Sequence, residues 1–171
     1  MTIRIRSAQL GDYPALCSLF EEVDALHRIN HPEIFQKPAG PVREFEYYQT
    51  LVSDAKIGLF VAEEGEQVVG CVHVIECNAP PIPIFMPRRF AIVDNLVVSK
   101  DFQRKGIGQK LMRTAQQWAA NKGAASIELN VYHFNQKAIS FYKNIGYQPI
   151  SQKMRKTLGG GLLPPDRADR T

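Results

Sequence analysis

An apolar, strand-like segment that runs through a basic glycine turn straight into an amphipathic helix constrains this chain most. The segment is Ile92 to Arg113, IVDNLVVSKDFQRKGIGQKLMR. Leu96, Val97 and Val98 favour a strand, and Gln103-Arg104-Lys105-Gly106-Ile107-Gly108 makes the turn. A helix that starts beneath such a turn offers unpaired N–H groups and the positive end of its dipole to an anion. Gly106 and Gly108 lack Cβ, so the backbone can approach a phosphate closely and take φ > 0. The reading is a pyrophosphate cradle, set against an ordinary strand-turn-helix. Two common phosphate loops are excluded. The dinucleotide fingerprint needs a glycine where Leu111 stands, and no G-x-x-x-x-G-K-[ST] occurs.

Charge is divided along the chain. Residues 1–98 hold 8 basic and 13 acidic side chains, a net −5, and residues 99–171 hold 13 and 4, a net +9. The basic excess gathers at Lys100, Arg104, Lys105, Lys110 and Arg113, beside the turn. One half suits a polyanionic ligand and the other a cationic amine, although solvated surface charge accounts for many single residues. A nucleic-acid platform would interleave exposed aromatics with these charges, and none are there. No apolar run reaches the ~20 residues of a bilayer span, so no membrane partner is expected. The first residues carry no apolar leader and the three cysteines form no C-x-x-C, which fits a cytoplasmic protein with buried thiols.

The 171 residues read as one domain over 1–157 with a flexible tail at 158–171. Thr2 to Ala8 alternates as a half-buried strand. Asp12 is the expected N-cap of a helix carrying Leu16, Leu19, Phe20, Val23 and Leu26 on one face. His27 and His31 lie four apart on another face of that helix. This is a spacing compatible with a metal, but no third ligand is near, so none is expected and both are candidates to line a substrate pocket. Pro41 is expected in the first turn of a second helix, whose stripe includes Tyr48, either core or pocket wall. Residues 57–63 and 67–77 form a hairpin about Gly65, with Gly70 marking a bulge or a close backbone approach. The loop 79–89 is apolar at Ile82, Ile84, Phe85 and Met86, which fits either a substrate mouth or a second subunit in a homodimer. Asp94 interrupts an otherwise apolar strand at 90–98, where burial would raise its pKa toward a range useful for proton transfer. A helix at 107–122, a strand at 126–132, a helix at 135–144 stopped by Gly146, and a last strand at 147–156 complete the order.

Gln103-x-x-Gly106-x-Gly108, preceded by DNLVV, resembles the acetyl-CoA motif of the GCN5-related N-acetyltransferases (GNAT). Asn135-x-x-Ala138-x-x-Phe141-Tyr142-x-x-x-Gly146-Tyr147 is similar to the pattern that closes that domain. The resemblance is sharp over 92–150 and weak at 27–55 and 79–89, where such enzymes differ in substrate recognition. It implies an α/β fold of the GNAT type: a mixed, strongly twisted sheet flanked by about four helices, with two strands splayed at an acetyl-CoA site. It further implies that Leu96, Val97 and Val98 hold the pantetheine and thioester carbonyl. Gln103, Arg104, Lys105, Gly106, Ile107, Gly108 and Gln109 would hold the pyrophosphate, and Asn135 and Phe141 would contact the cosubstrate.

The chemistry that follows is acetyl transfer to a primary amine by direct attack in a ternary complex, with no metal. The amine must lose a proton first, and Asp94 is the first candidate base, through water, ahead of Glu128 and His73. A backbone N–H near Leu96 could receive the oxyanion. Tyr142 matches the family's acid for the departing thiolate, against the alternative of a core aromatic. The acceptor is expected to be a small cationic amine, with His27, His31, Tyr48 and Asp94 as its candidate contacts. Protein N-terminal or lysine acetylation, or a silent acyl-CoA-binding module, are the competing readings.

Overall fold

The computed structural model describes residues 2–158, which group into two compact units. Among the described residues, the first comprises 2–23 and 40–130, and the second 24–39 and 131–158. The expected tail at 158–171 lies outside the described residues, apart from Leu158.

The first unit is built on a five-stranded sheet in the order β1 (Ile3–Ser7), β2 (Ile57–Glu64), β3 (Gln67–Asn78), β4 (Arg89–Val98) and β5 (Ile127–Leu129). Every pairing is antiparallel except β4–β5, which is parallel. Three helices complete the unit: the first part of α1 (Tyr13–Asn30), α2 (Phe45–Ser53) and α3 (Ile107–Asn121). Gly65, at φ +60, turns the β2–β3 hairpin, a conformation glycine adopts without a Cβ penalty.

Both faces of the sheet are covered, which is why β3 is buried without a break from Val69 to Val74. On one face Leu16, Leu19 and Phe20 of α1 and Tyr48 and Leu51 of α2 pack with Leu59, Val61, Cys71 and Val97. On the other lies α3, whose Ile107, Leu111, Met112, Ala115 and Ala119 are buried at the helical spacing anticipated from the sequence. Here Gly58 leaves room for Val74, Phe60 and Trp118, all within 3.0 Å of where a Cβ would stand.

Several local expectations are revised. Asp12 is not the N-cap of α1. It sits in a one-turn 3-10 helix, Leu10–Asp12, where it accepts the Gln9 N–H and a bidentate pair from Arg6 at 2.7 and 2.9 Å. That guanidinium holds the Asp12 carboxyl below its ordinary range. The second helix begins at Phe45 rather than at Pro41, because residues 41–44 stay extended or bent before the N-cap Glu44. The strand expected at 126–132 shortens to three residues, and no strand forms at 147–156. The apolar loop before β4 is closed by Ala79 N–H to Arg88 C=O and leaves Ile84 and Met86 84% and 80% exposed.

The second unit holds the end of α1 and α4 (Gln136–Asn144). Asn135 caps α4 by accepting the Ala138 N–H at 3.2 Å, which explains the three-residue spacing of that pair. Gly146, at φ +94, ends the helix as expected. No helix among the described residues is long and apolar enough to cross a membrane.

Candidate active site

In the first unit, one strand and the turn after it carry most of the anticipated residues. β5 pairs with β4 only from Ala91 to Val93. From Asp94 onward β4 is bonded to β3 alone among the described strands. Ser99 donates to Val69 C=O, and the Val97 carbonyl lies where a Cβ on Gly70 would be 2.8 Å away. Both groups therefore turn toward β3. Backbone direction alternates along a strand, so Leu96 and Val98 turn their N–H and C=O groups to the open edge. Gln103 covers one of them, donating its side-chain amide to Val98 C=O at 3.0 Å. Among the described residues, Leu96 is left as an open donor-acceptor pair.

Beyond Val98 the chain turns through Lys100–Phe102 and then through two left-handed residues, Arg104 at φ +62 and Gly106 at φ +76. For arginine this conformation costs on the order of 1 kcal/mol, strain of the kind kept at binding sites. A Cβ at Gly106 would meet nothing within 4 Å, so backbone angle rather than crowding calls for glycine there. No side chain caps the first turn of α3, and Gln103 to Gly106 are exposed. The uncapped N–H groups beside Arg104 and Lys105 are chemically suited to receive an anion. Gly108 is the second residue of α3.

Asp94 departs from expectation. His73 pairs with Asn95 and Val74 with Val93, so Asp94 is the extra residue of a β-bulge. Its side chain is 49% exposed, not buried. Its Oδ2 lies 3.1 Å from His73 Nδ1 and accepts from Asn95 Nδ2 at 2.6 Å. The His73 hydrogen bond holds the carboxyl below its ordinary value, so the anticipated upward shift is reversed. Glu128, a weaker candidate base, is held by Arg88 at 2.7 Å and by Ser126 at 3.0 Å. Tyr48 is no pocket wall: it is 2% exposed, its hydroxyl donates to Gln9 C=O at 2.6 Å, and burial raises its pKa. Cys71 is buried and its thiol pushed up to about 12 by desolvation, which makes it inert.

In the second unit, His27 and His31 join Phe35, Tyr132 and Phe134 in a cluster with ring centroids 5.2–5.8 Å apart. His31 Nδ1 lies 2.9 Å from Glu33, which Arg155 also grips at 2.7 Å. Tyr132 ends the strand expected at 126–132 and Phe134 lies just beyond it, and neither carries a motif that marks it as a site residue. Phe141 and Tyr142 pack edge to face at 5.3 Å, and the Tyr147 ring lies 5.8 Å from that of Tyr142. Burial pushes the Tyr142 hydroxyl up to about 12. No group of three or more potential metal ligands occurs among the described residues.

Comparison with known proteins agrees with this fold. The acetyltransferase (GNAT) family model matches residues 20–147. N-acetyltransferase 8B of Rattus norvegicus is 32% identical over 104 residues, 61% of this chain and 45% of the relative. An uncharacterized N-acetyltransferase of Archaeoglobus fulgidus is 32% identical over 115 residues, 67% of this chain and 71% of its own. The chain thus spans under half the length of the rat relative. Among solved structures, a mutant of the BH1408 protein from Bacillus halodurans superposes with a TM-score of 0.86 at 25% identity, over 91% of this chain and 99% of that one. With the motif turn, the mixed sheet and the open β4 edge in place, this chain belongs to the GNAT acetyltransferase family.

Proposed function

We propose that the chain is an acetyl-CoA-dependent N-acetyltransferase acting by direct attack of a primary amine on the thioester, with a small cationic amine as acceptor. One observation carries the reading: the open backbone edge at Leu96 to Val98 runs directly into an uncapped, left-handed basic turn. A ligand with a strand-like amide arm and a pyrophosphate needs these two features in that order. The Leu96 N–H is the candidate donor to the thioester oxygen as charge develops on it. Hydrogen exchange gives a direct check. The Leu96 amide is expected to exchange freely in the unliganded chain and to slow at least about tenfold on saturation with acetyl-CoA.

The roles of Asp94 and Tyr142 follow from their surroundings. An ammonium near its ordinary pKa of about 10.4 cannot give its proton stably to a carboxyl that the His73 hydrogen bond holds below its ordinary value. Asp94 therefore attracts and orients the cationic amine, and water carries the proton away. Tyr142, protonated up to about pH 12, is a weaker acid than a thiol of about 8.5. It serves the departing thiolate as a hydrogen-bond donor. Tyr142→Phe is expected to lower kcat by about 10- to 100-fold with acetyl-CoA affinity within about twofold. Because the raised pKa keeps the hydroxyl protonated, the substitution should leave the limbs of the pH–rate profile below pH 10 unmoved. A basic limb that vanishes in Tyr142→Phe would show that Tyr142 titrates in turnover.

The deciding experiment is calorimetric titration with acetyl-CoA alongside thiol release against a panel of polyamines, aminoglycosides, amino acids and peptide N-termini. Binding with release for one small-amine class supports the proposal and names the acceptor. Release with peptides alone moves the acceptor to protein. Binding with no release from any amine favours a silent acyl-CoA module, and absence of binding overturns the reading.

A further inference from the structure

His73 is an anomaly in its strand. Its neighbours Cys71, Val72 and Val74 are fully buried apolar side chains, and His73 itself is only 2% exposed. One ring nitrogen, Nε2, is buried with no hydrogen-bond partner. A leucine or valine there would avoid that cost entirely. The other nitrogen, Nδ1, faces Asp94 Oδ2 at 3.1 Å. Because that partner is an ionised carboxylate, Nδ1 is the nitrogen that donates.

The bulge supplies the rest. In a regular strand Asp94 and Asn95 would point to opposite faces. The extra residue breaks that alternation, so that Asn95 Nδ2 reaches the carboxylate of its own neighbour at 2.6 Å. His73 and Asn95 thus both bond Oδ2. Oδ1 carries no hydrogen bond among the described residues and belongs to a side chain that is half exposed. The groups acting on the carboxylate are His73 from β3, Asn95 from β4 and the positive charge of Arg43, which precedes α2.

We propose that His73 is a positioning residue for acetyl transfer: with Asn95 it pins Oδ2 of Asp94, so that Oδ1 is presented to the cationic acceptor. The inference rests on the acetyltransferase reading. It accounts for a buried imidazole that nothing else in the fold requires, and for a bulge that would otherwise only interrupt the β3–β4 ladder.

The test compares His73→Asn, whose amide N–H stands near the place of Nδ1, with His73→Leu and His73→Gln, which offer no donor there. Carboxyl-carbon NMR of the full-length unliganded chain, with the Asp94 signal assigned through Asp94→Asn, follows the Asp94 titration. The midpoint is expected below the ordinary carboxylate range in the parent, higher in His73→Leu and His73→Gln, and close to the parent in His73→Asn. With the amine that the panel identifies, His73→Leu should lower kcat about 100-fold and leave the acetyl-CoA KM within twofold. Losing the bond raises the Asp94 pKa, so the acid limb should move to higher pH, and His73→Asn should restore both.

An Asp94 midpoint unchanged in folded His73→Leu overturns the proposal. Should that variant not fold, identical titrations in His73→Asn and His73→Gln overturn it equally. Failure of acetyl-CoA to bind the parent chain removes the acetyltransferase reading and, with it, the catalytic role of His73. The Asp94 titration then still reports whether the His73 bond exists.

Discussion

Gly108→Asp is expected to weaken acetyl-CoA binding about 100-fold, roughly 2.7 kcal/mol, in a chain at least as stable as its parent. The two halves of that result have one cause. Gly108 is the second residue of α3, where no side chain caps the first turn. An aspartate there meets the positive end of the helix dipole and should stabilise the helix by about 0.3–1 kcal/mol. Replacing glycine inside a helix removes a further entropic penalty of roughly 0.5–1 kcal/mol. The same carboxylate would stand among the N–H groups proposed to receive a pyrophosphate, adding charge repulsion and bulk. Thermal unfolding and calorimetry on one preparation measure both halves. Full affinity in a folded, unperturbed variant would remove the turn from the binding site. Lost affinity with lost stability would make the effect merely structural.

Gly70→Ala is expected to act in the opposite way, with stability and binding falling together. Its Cβ would sit 2.8 Å from the Val97 carbonyl and 3.3 Å from Leu111 Cδ1 and Val98 Cγ2. The leucine and valine methyls can give way, but the carbonyl is backbone in the middle of β4 and cannot turn aside. Relief requires β4 to move away from β3, at a cost of about 1–3 kcal/mol, or a fall in Tm of roughly 2–12 °C for a chain of this size. That movement displaces the neighbouring Leu96 and Val98 edge, so acetyl-CoA affinity should drop at least about tenfold, measured at a temperature where the variant is folded. A variant with parental Tm and affinity would mean that β4 shifts at no cost and that Gly70 is not needed for its approach to β3.

How much was legible in the chain depends on the distance over which each signal acts. Leu96 to Val98, the turn and the α3 stripe are local: strand propensity, two glycines and a 3.6-residue period each speak within about ten residues. Asn135 and Ala138 were visible as a motif, and the motif turns out to contain a helix cap. Asp94 was legible as an acidic interruption of an apolar strand, but its environment was not. Whether it is buried depends on the bulge, and the bulge is a property of the β3–β4 register, which no residue near Asp94 encodes. His73 was invisible as its partner for the same reason. Tyr48 shows another limit, since core and pocket aromatics share one helical spacing. Only its bond to Gln9, 39 residues earlier, tells them apart. The expected last strand does not form over residues 147–156, where only Tyr147 and Ile150 favour a strand and Pro149 opposes one.

The one-sided stretch of β4 also bears on self-association. A strand edge with free N–H and C=O groups invites pairing with another chain, and persistent edges seed aggregation. Here that edge is five residues long, begins with a bulge and a charged aspartate, and has one carbonyl covered by the Gln103 amide. Each of these features discourages a second polypeptide strand while leaving room for a narrow, flexible ligand. On the proposed reading, an edge of this kind should disfavour edge-to-edge association and would make binding and colloidal stability depend on the same few backbone atoms.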